Sequence, residues 1–313
     1  MSDTAIRVAT RRSVLARTQA QHVADALTTI SGRPAELIFV TTRGDIDRAP
    51  LSSFDGVGVF VAAVRDAVLT GEADIAVHSL KDLPTQGHPG LLLAAVPRRA
   101  DPRDALCARD GLTLATLPPN AKVGTGSPRR AAQLRAHRPD LDVVDIRGNV
   151  DTRLQLIAAG DVDAVVLALA GLDRLGRSDA ATQVLDPETM LPAPGQGALA
   201  VETRSDLASA DPALYAALVE LDDPDTRVAV VAERSLLAAL EAGCSAPVGA
   251  YAVLHSGQEA TVHLTGAVVD VDGSREVRQS VTGARDAAVE LGQGLARQLL
   301  ALGAPGLLGE RVP

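Results

Sequence analysis

The sequence predicts an α/β protein with two similar α/β lobes around a cleft and a small α+β C-terminal domain. Three observations predict it. Over the first two thirds of the 313 residues, short β-branched runs alternate with helical patterns, as in layered, largely parallel sheets. One of these segments is echoed: Gly71-Glu72-Ala73-Asp74-Ile75-Ala76-Val77 resembles Gly160-Asp161-Val162-Asp163-Ala164-Val165-Val166. The last third changes character, to a long helical run, alternating strands and a final helix.

Strands are expected at 6–10, 35–42, 74–77, 91–96, 105–108, 122–124, 143–146, 164–169 and 198–202, with helices at 13–30, 58–69, 128–138 and 149–159. Thr10-Arg11-Arg12-Ser13 and Thr125-Gly126-Ser127 each follow a strand and open a helix. Ser127 suits the N-cap, Pro128 the first helical position, and Asn149 can cap the next helix. The stretch Pro97-Arg98-Arg99-Ala100-Asp101-Pro102 is the hinge candidate, and Leu191-Pro192-Ala193-Pro194-Gly195-Gln196-Gly197 the return. This assigns 1–98 and 197–218 to the first lobe, 99–196 to the second and 219–313 to the C-terminal domain. In that domain a helix over 225–242 stops at Gly243. Strands follow at 248–254, 260–269 and 277–281, the last two split by the Asp272-Gly273 turn signal, and a helix covers 285–302.

Apolar residues make up 46% of the chain, enough for real cores. No uncharged apolar run reaches the roughly 18 residues of a membrane span. The N-terminus lacks the apolar stretch of a signal peptide, which points to a cytoplasmic chain. Two cysteines argue against a disulfide scaffold. A net charge of −9, with two tyrosines, three phenylalanines and no tryptophan, argues against nucleic-acid binding. Of the 30 basic residues, all but Lys81 and Lys122 are arginine. GC-rich codon usage explains that excess, so it is not evidence of anion binding.

Position is more informative than number. Lys122-Val-Gly-Thr125-Gly126-Ser127-Pro128-Arg129-Arg130 is a strand, a glycine-rich turn and a capped helix start, with hydroxyls and two arginines: an anion site, or an ordinary capped helix with surface arginines. It lacks the closing Gly-Lys-Ser/Thr of a P-loop and the third glycine of a dinucleotide fingerprint. Asp145-Ile146-Arg147-Gly148-Asn149 repeats the theme. Arg11, Arg129, Arg130, Arg147, Arg153 and Arg174 all fall just after predicted strands, the end at which open α/β sheets bind ligands. Guanidinium groups grip carboxylates and phosphates alike, so the ligand is polyanionic.

In His78-Ser79-Leu80-Lys81-Asp82-Leu83-Pro84, the Ser79, Lys81 and Asp82 side chains are expected to project into the same cleft. Lys81 can pair an anionic group, and Asp82 can balance a developing cation. His78 is either a base or, the commoner case for a strand-end histidine, structural. The other histidines show no metal spacing, and Cys107 belongs to an apolar strand and the core. Cys244, in Leu240-Glu241-Ala242-Gly243-Cys244-Ser245-Ala246-Pro247-Val248-Gly249, stays open among small buried residue, catalytic nucleophile and attachment point. It has no metal partners.

Together these segments resemble the porphobilinogen deaminase (hydroxymethylbilane synthase) family. The resemblance runs over nearly the whole chain: IRVATRRS, GDID, DIAVHSLKDLP, DPRDAL, VGTGSPRR, IRGNVDTR, ALAGLDRLG, LPAPGQGALAVE and AERSLLAALEAGCSAPVG. The phrases GVGVF and GTGSPRR are similar to the actinobacterial branch. The resemblance implies lobes like those of periplasmic binding proteins, and a transferase of haem and other tetrapyrrole biosynthesis. Such an enzyme joins four porphobilinogen molecules head to tail, releases ammonia and yields 1-hydroxymethylbilane. It implies that Cys244 holds a dipyrromethane cofactor covalently, through a thioether. Asp82 matches the family's catalytic aspartate, with Lys81 beside it. Lys81, Ser79, Thr125, Ser127, Arg129, Arg130, Arg147 and Gly148 match cofactor contacts. Arg11, Ser13, Arg147, Arg153, Arg174, Phe60 and Gln196 match substrate contacts. A monomer with no metal, nucleic acid or membrane partner is implied.

Two features depart from the family pattern. Phe54-Asp55-Gly56-Val57-Gly58-Val59-Phe60 lacks the lysine often found there, and Thr125-Gly126-Ser127 stands for the usual Thr-Ser-Ser. The competing reading is a non-catalytic two-lobed carboxylate-binding protein or sensor, which would explain the lobes and arginines but not the thiol turn.

Overall fold

The computed structural model describes residues 4–41, 61–242, 246–255 and 260–307. The expectations placed on Phe60, on the glycine-rich segment before it and on Cys244 lie outside the described residues. The chain forms two compact units, 1–100 with 198–227 and 101–197 with 228–313.

The first unit opens with β1 (Ile6–Arg11), α1 (Val14–Ser31), β2 (Ala35–Val40), α2 (Ala62–Leu69), β3 (Ile75–Ser79) and β4 (Leu91–Ala95). The second begins with β5 (Asp104–Ala108), β6 (Lys122–Gly124), α3 (Pro128–His137), β7 (Asp142–Val144), α4 (Val150–Ala158), β8 (Ala164–Ala168), α5 (Leu169–Arg174) and β9 (Gln183–Leu185). The chain then returns to the first unit as β10 (Leu199–Arg204), α6 (Leu207–Ala210) and α7 (Pro212–Leu221).

The two five-stranded sheets share one plan. The first runs β2-β1-β3-β10-β4 and the second β7-β6-β8-β5-β9. In each, four strands run the same way, and the fourth position in the order is filled by an antiparallel strand, β10 or β5. That strand is the first one built after the chain enters the unit. The expected parallel character is therefore broken once per sheet, because strand direction follows from the path of the chain and not from its local pattern.

Helices cover both faces of the first sheet, which is why its strands are apolar at successive positions. Ile6, Val8, Ile75 and Val77 pack with Val23, Leu27, Leu214 and Leu218 of α1 and α7. Ala9 and Ala76 face the other way, onto Val64 and Val68 of α2. The second sheet is likewise sandwiched, with Leu134 of α3 in one cluster and Leu172 of α5 in the other.

The echoed segments occupy equivalent places. Gly71 and Gly160, at φ 78° and 77°, follow α2 and α4 in the left-handed conformation and lead into β3 and β8. The aspartate three residues on then clasps the neighbouring strand: Arg7 N–H donates to Asp74 Oδ2 at 2.8 Å, and Lys122 N–H to Asp163 Oδ2 at 2.7 Å. The repeat thus encodes a helix stop and a strand-pairing device, used twice.

The C-terminal part of the second unit is α8 (Pro224–Ala239), an antiparallel sheet of β11 (Val248–His255), β12 (Thr261–Val269) and β13 (Glu276–Ala284), and α9 (Ala288–Ala301). Leu236, Leu264, Val268, Leu295 and Leu299 form its core. Helix α8 ends before Gly243. Ala242 N–H donates to Leu237 O and Glu241 N–H to Ala238 O, a Schellman closure with Glu241 itself at φ 51°. Strand β9 and helices α5, α6 and α7 were not expected; β9 is three residues long, too short to show alternation. The run 164–169 loses its last residue to α5, and the strand expected over 143–146 falls on 142–144.

The hairpin between β12 and β13 docks on α3. Arg135 donates to Val271 O at 2.8 Å, and a Cβ on Gly273 would lie 2.5 Å from Ala136 N. Gly273 also has φ 77°. Replacing Gly273 by Ala is expected to destabilise the protein by about 1–3 kcal/mol through left-handed strain and that backbone clash, read as a lower urea midpoint at unchanged m-value.

Candidate functional site

In the second unit the site grows from the ends of β5, β6 and β8. Thr125 follows β6 and is buried; its hydroxyl accepts from Ser127 N–H at 3.2 Å. Ser127 caps α3, accepting from Arg130 N–H at 3.5 Å, and Pro128 opens the helix. One turn of α3 then delivers Arg129 and Arg130 inward, 4% and 5% exposed.

Both converge on Asp104, at the start of β5 and fully buried. Arg129 donates to Asp104 Oδ2 at 2.7 Å, and Arg130 to Oδ1 through both Nε (3.1 Å) and a terminal nitrogen (2.7 Å). Gln196 Nε2 donates to the same Oδ1 at 2.8 Å and to Pro102 O at 2.7 Å. Arg129 also donates to Leu191 O at 2.6 Å, and Arg130 to Val166 O at 3.1 Å. Burial alone would raise the Asp104 carboxyl; the two guanidinium groups outweigh it and hold it well below the usual range. Burial, partly offset by Asp104, lowers Arg129. One carboxylate against two guanidiniums leaves a formal positive charge in this cluster. Arg129 Nε is buried with no hydrogen-bond partner among the described residues.

Arg153, on α4, donates from Nε to Gly148 O at 2.9 Å. Burial lowers it, and the nearby Arg130 charge adds to that. Arg174, at the end of α5, is also lowered by burial and donates to Gly197 O at 2.7 Å. Arg147 is exposed, 4.0 Å from Asp145. Gly148 has φ 105°, and a Cβ there would meet the Thr152 side chain at 2.7 Å. Asn149 caps α4, accepting from Thr152 N–H at 2.9 Å. At Gly126 a Cβ would lie 2.7 Å from Ile146 O. That close approach is a physical reason for glycine where the family pattern has serine.

In the first unit, Ser13 caps α1, accepting from Ala16 N–H at 3.3 Å, and Arg11 ends β1 half-buried. Strand β3 ends at Ser79, and Leu80–Asp82 form one 3₁₀ turn. Leu80 and Leu83 anchor that turn in the core, with Leu80 N–H donating to Ala198 O at 3.0 Å. Lys81 is half-buried and Asp82 exposed. His78 is buried instead: its Nε2 is 3.3 Å from Glu202 Oε2. Arg65 grips Glu202 with two hydrogen bonds of 2.8 Å. Burial pushes the Glu202 carboxyl up, but His78 and Arg65 bring it down to about 2.

The structure therefore brings Thr125, Ser127, Arg129, Arg130 and Gln196 into one cluster with Arg153 beside it, and places Ser79, Lys81 and Asp82 on one turn. Sequence reasoning missed Asp104, Glu202 and Arg65. The available signal was a carboxylate interrupting an apolar strand, Asp104 before ALCA and Glu202 after ALAV. Cys107 lies in the core as expected, with burial pushing its thiol up to about 11.

Asp104→Asn leaves two buried guanidiniums short of their counter-charge and is expected to cost about 3–5 kcal/mol. Asp104 titrates lower in the folded chain than its ordinary 3.8. Its contribution is thus complete above that value and is lost as pH falls toward the folded value. Urea titrations are expected to show the wild-type–variant gap constant from pH 7 to about 5 and closing only under stronger acid.

A family model described as "Porphobilinogen deaminase, dipyromethane cofactor binding domain" matches residues 6–211, and "Porphobilinogen deaminase, C-terminal domain" matches 228–301. The curated porphobilinogen deaminase 1 of Streptomyces coelicolor is 56% identical, covering 99% of both chains. The porphobilinogen deaminase of Thermobifida fusca is 54% identical, covering 99% of this chain and 98% of its own. Among solved structures, the VFT2 domain of Bordetella pertussis BvgS aligns over 74% of this chain and 92% of its own at 17% identity. Its TM-score is 0.42, too distant to bear on the fold, which rests on the strand order above. By family match and by identity over its whole length, the chain belongs to the porphobilinogen deaminase family.

Proposed function

We propose that this porphobilinogen deaminase works through Asp82 and a set of carboxylate-binding arginines, on a primer attached at Cys244. As a family member the chain is a transferase that condenses four porphobilinogen molecules into 1-hydroxymethylbilane with loss of ammonia. The observation that carries the reading is the match to the cofactor-binding domain over 6–211, which contains Asp82 and each of these arginines.

The residues fit a dipyrromethane group. It is rich in carboxylates, and the second unit offers a cluster with excess positive charge and a buried guanidinium N–H, Arg129 Nε, lacking a partner among the described residues. Bound, the group would supply the pyrrole to which the first unit is joined, each later unit adding to the free end of the growing chain. Arg129, Arg130, Arg147, the Gly148 backbone, Thr125, Ser127, Ser79 and Lys81 would hold its carboxylates. Arg11, Ser13, Arg147, Arg153, Arg174 and Gln196 would hold those of the substrate and growing chain, with Phe60 against the pyrroles.

Each porphobilinogen loses ammonia to give a cation spread over its pyrrole ring. A carboxylate held near the ring N–H stabilises that charge and takes up or returns the proton. Asp82 suits the task because it is exposed on a turn whose two leucines are locked in the core. Lys81, next to it, would hold carboxylate groups close to Asp82. We further assign the three domains as 1–98 with 197–218, 99–196 and 219–313, and the working form as a cytoplasmic monomer. No described helix is long and apolar enough to cross a membrane.

Intact mass of the natively purified protein beside Cys244→Ser tests the attachment. An excess of two linked pyrrole units in the wild type alone is expected. No mass gain, even after incubation with porphobilinogen, would favour a non-catalytic carboxylate binder. Asp82→Asn is expected to cut ammonia release by about 10²–10³-fold at unchanged melting temperature. Arg147→Ala, at an exposed residue, is expected to stall chain growth with a stability change within about 0.5 kcal/mol, seen as accumulation of partly extended adducts in the mass spectrum.

A further inference from the structure

We propose that Glu202, acting through His78, is a positioning residue for the Asp82 turn. The inference rests on the assignment of Asp82 above. Glu202 lies on β10, 3% exposed, and joins three elements of the first unit. Its carboxylate is gripped from α2 by both arms of Arg65. It faces the His78 ring at 3.3 Å, on the strand that ends in the turn. The His78 ring nitrogen lies close to Glu202 Oε2 but off the line of a straight hydrogen bond. His78 directly precedes Ser79 and stands four residues before Asp82. Helix α2 is the one that follows the glycine-rich segment with Phe60. One buried carboxylate therefore ties the Asp82 turn to the helix that follows that segment in sequence.

Stability is a poor reason for such a group. A buried ion pair returns little net energy over a well-packed apolar substitute, whereas it holds its partners in one geometry. The turn needs that hold. Only Leu80 and Leu83 are in the core, while Asp82 is exposed. The aliphatic anchors fix the depth of the turn, and the His78–Glu202 contact fixes the rotation of the strand end from which it springs. The second sheet repeats the device: its own antiparallel strand carries Asp104, which likewise fixes arginines on a neighbouring helix. A displacement of about 1 Å at a reacting group costs on the order of 10²-fold in rate.

The test compares the full-length holoenzyme with Glu202→Gln, His78→Leu, His78→Gln and Asp82→Asn, each checked by intact mass for its cofactor. For Glu202→Gln and His78→Leu, kcat per folded molecule is expected to fall about 10- to 100-fold, with KM within about twofold. His78→Gln, which returns an N–H near the lost ring position, is expected to recover most of kcat. Should Glu202→Gln not fold, the two His78 variants decide alone. Wild-type kcat in His78→Leu, or equal kcat in His78→Leu and His78→Gln, overturns the proposal while Asp82→Asn stays inactive. An active Asp82→Asn instead overturns the Asp82 assignment, and the positioning role falls with it.

Discussion

The second unit is organised around a single carboxylate. Asp104 has no exposed surface and receives hydrogen bonds from Arg129, Arg130 and Gln196. Without it, two guanidiniums would sit in a low-dielectric interior with backbone carbonyls and the Gln196 side-chain oxygen for company but no counter-charge, which costs several kcal/mol per charge. With it, α3 is held by its first turn, the return segment is held through Gln196 and Leu191, and the cluster keeps a formal positive charge. Under the proposed reading, that surplus would draw ligand carboxylates to a place already dry and rigid, where a charge-assisted hydrogen bond is strong.

The same segment links this cluster to the C-terminal part of the unit. Ala250 N–H donates to Pro192 O at 2.9 Å, and Glu233 of α8 accepts from Gly195 N–H at 2.7 Å and from Ala252 N–H at 2.9 Å. Gly249 packs so closely on Leu191 that a Cβ would lie 2.9 Å from it. Helix α8 and strand β11, which lie on either side of Cys244 in sequence, are thus both fastened to the segment that carries Gln196. The hairpin at Gly273 makes a second fastening, on α3. Helix α8, strand β11 and helix α3 are thus joined through backbone groups of the return segment and the hairpin.

The echoed halves show how the chain reuses physics without reusing sequence. In both sheets a left-handed glycine stops a helix, an aspartate clasps the adjacent strand, a serine caps the next helix, and a buried acid on the antiparallel strand neutralises arginine. Only the first two are visible as an echo of letters. The serine caps survive as a positional likeness. The acids, Asp104 and Glu202, share no motif at all.

What the sequence determined by itself was local or short-range. The caps at Ser13, Ser127 and Asn149, the left-handed turn at Gly273 and the alternation of strands and helices depend on near neighbours, so the letters suffice. The order of family motifs marked Asp82, Cys244 and the arginines because identity accumulates along the chain whatever the fold. Tertiary structure alone decided strand direction, which set one antiparallel strand in each sheet. It also decided that α8 closes on Glu241, where no sequence rule places a left-handed glutamate. Above all it decided charge pairing. Asp104 is 25 residues from Arg129, and Glu202 is 137 from Arg65. Which carboxylate satisfies which arginine depends on where separate strands and helices end up in space, and a buried charge takes whichever partner the fold delivers.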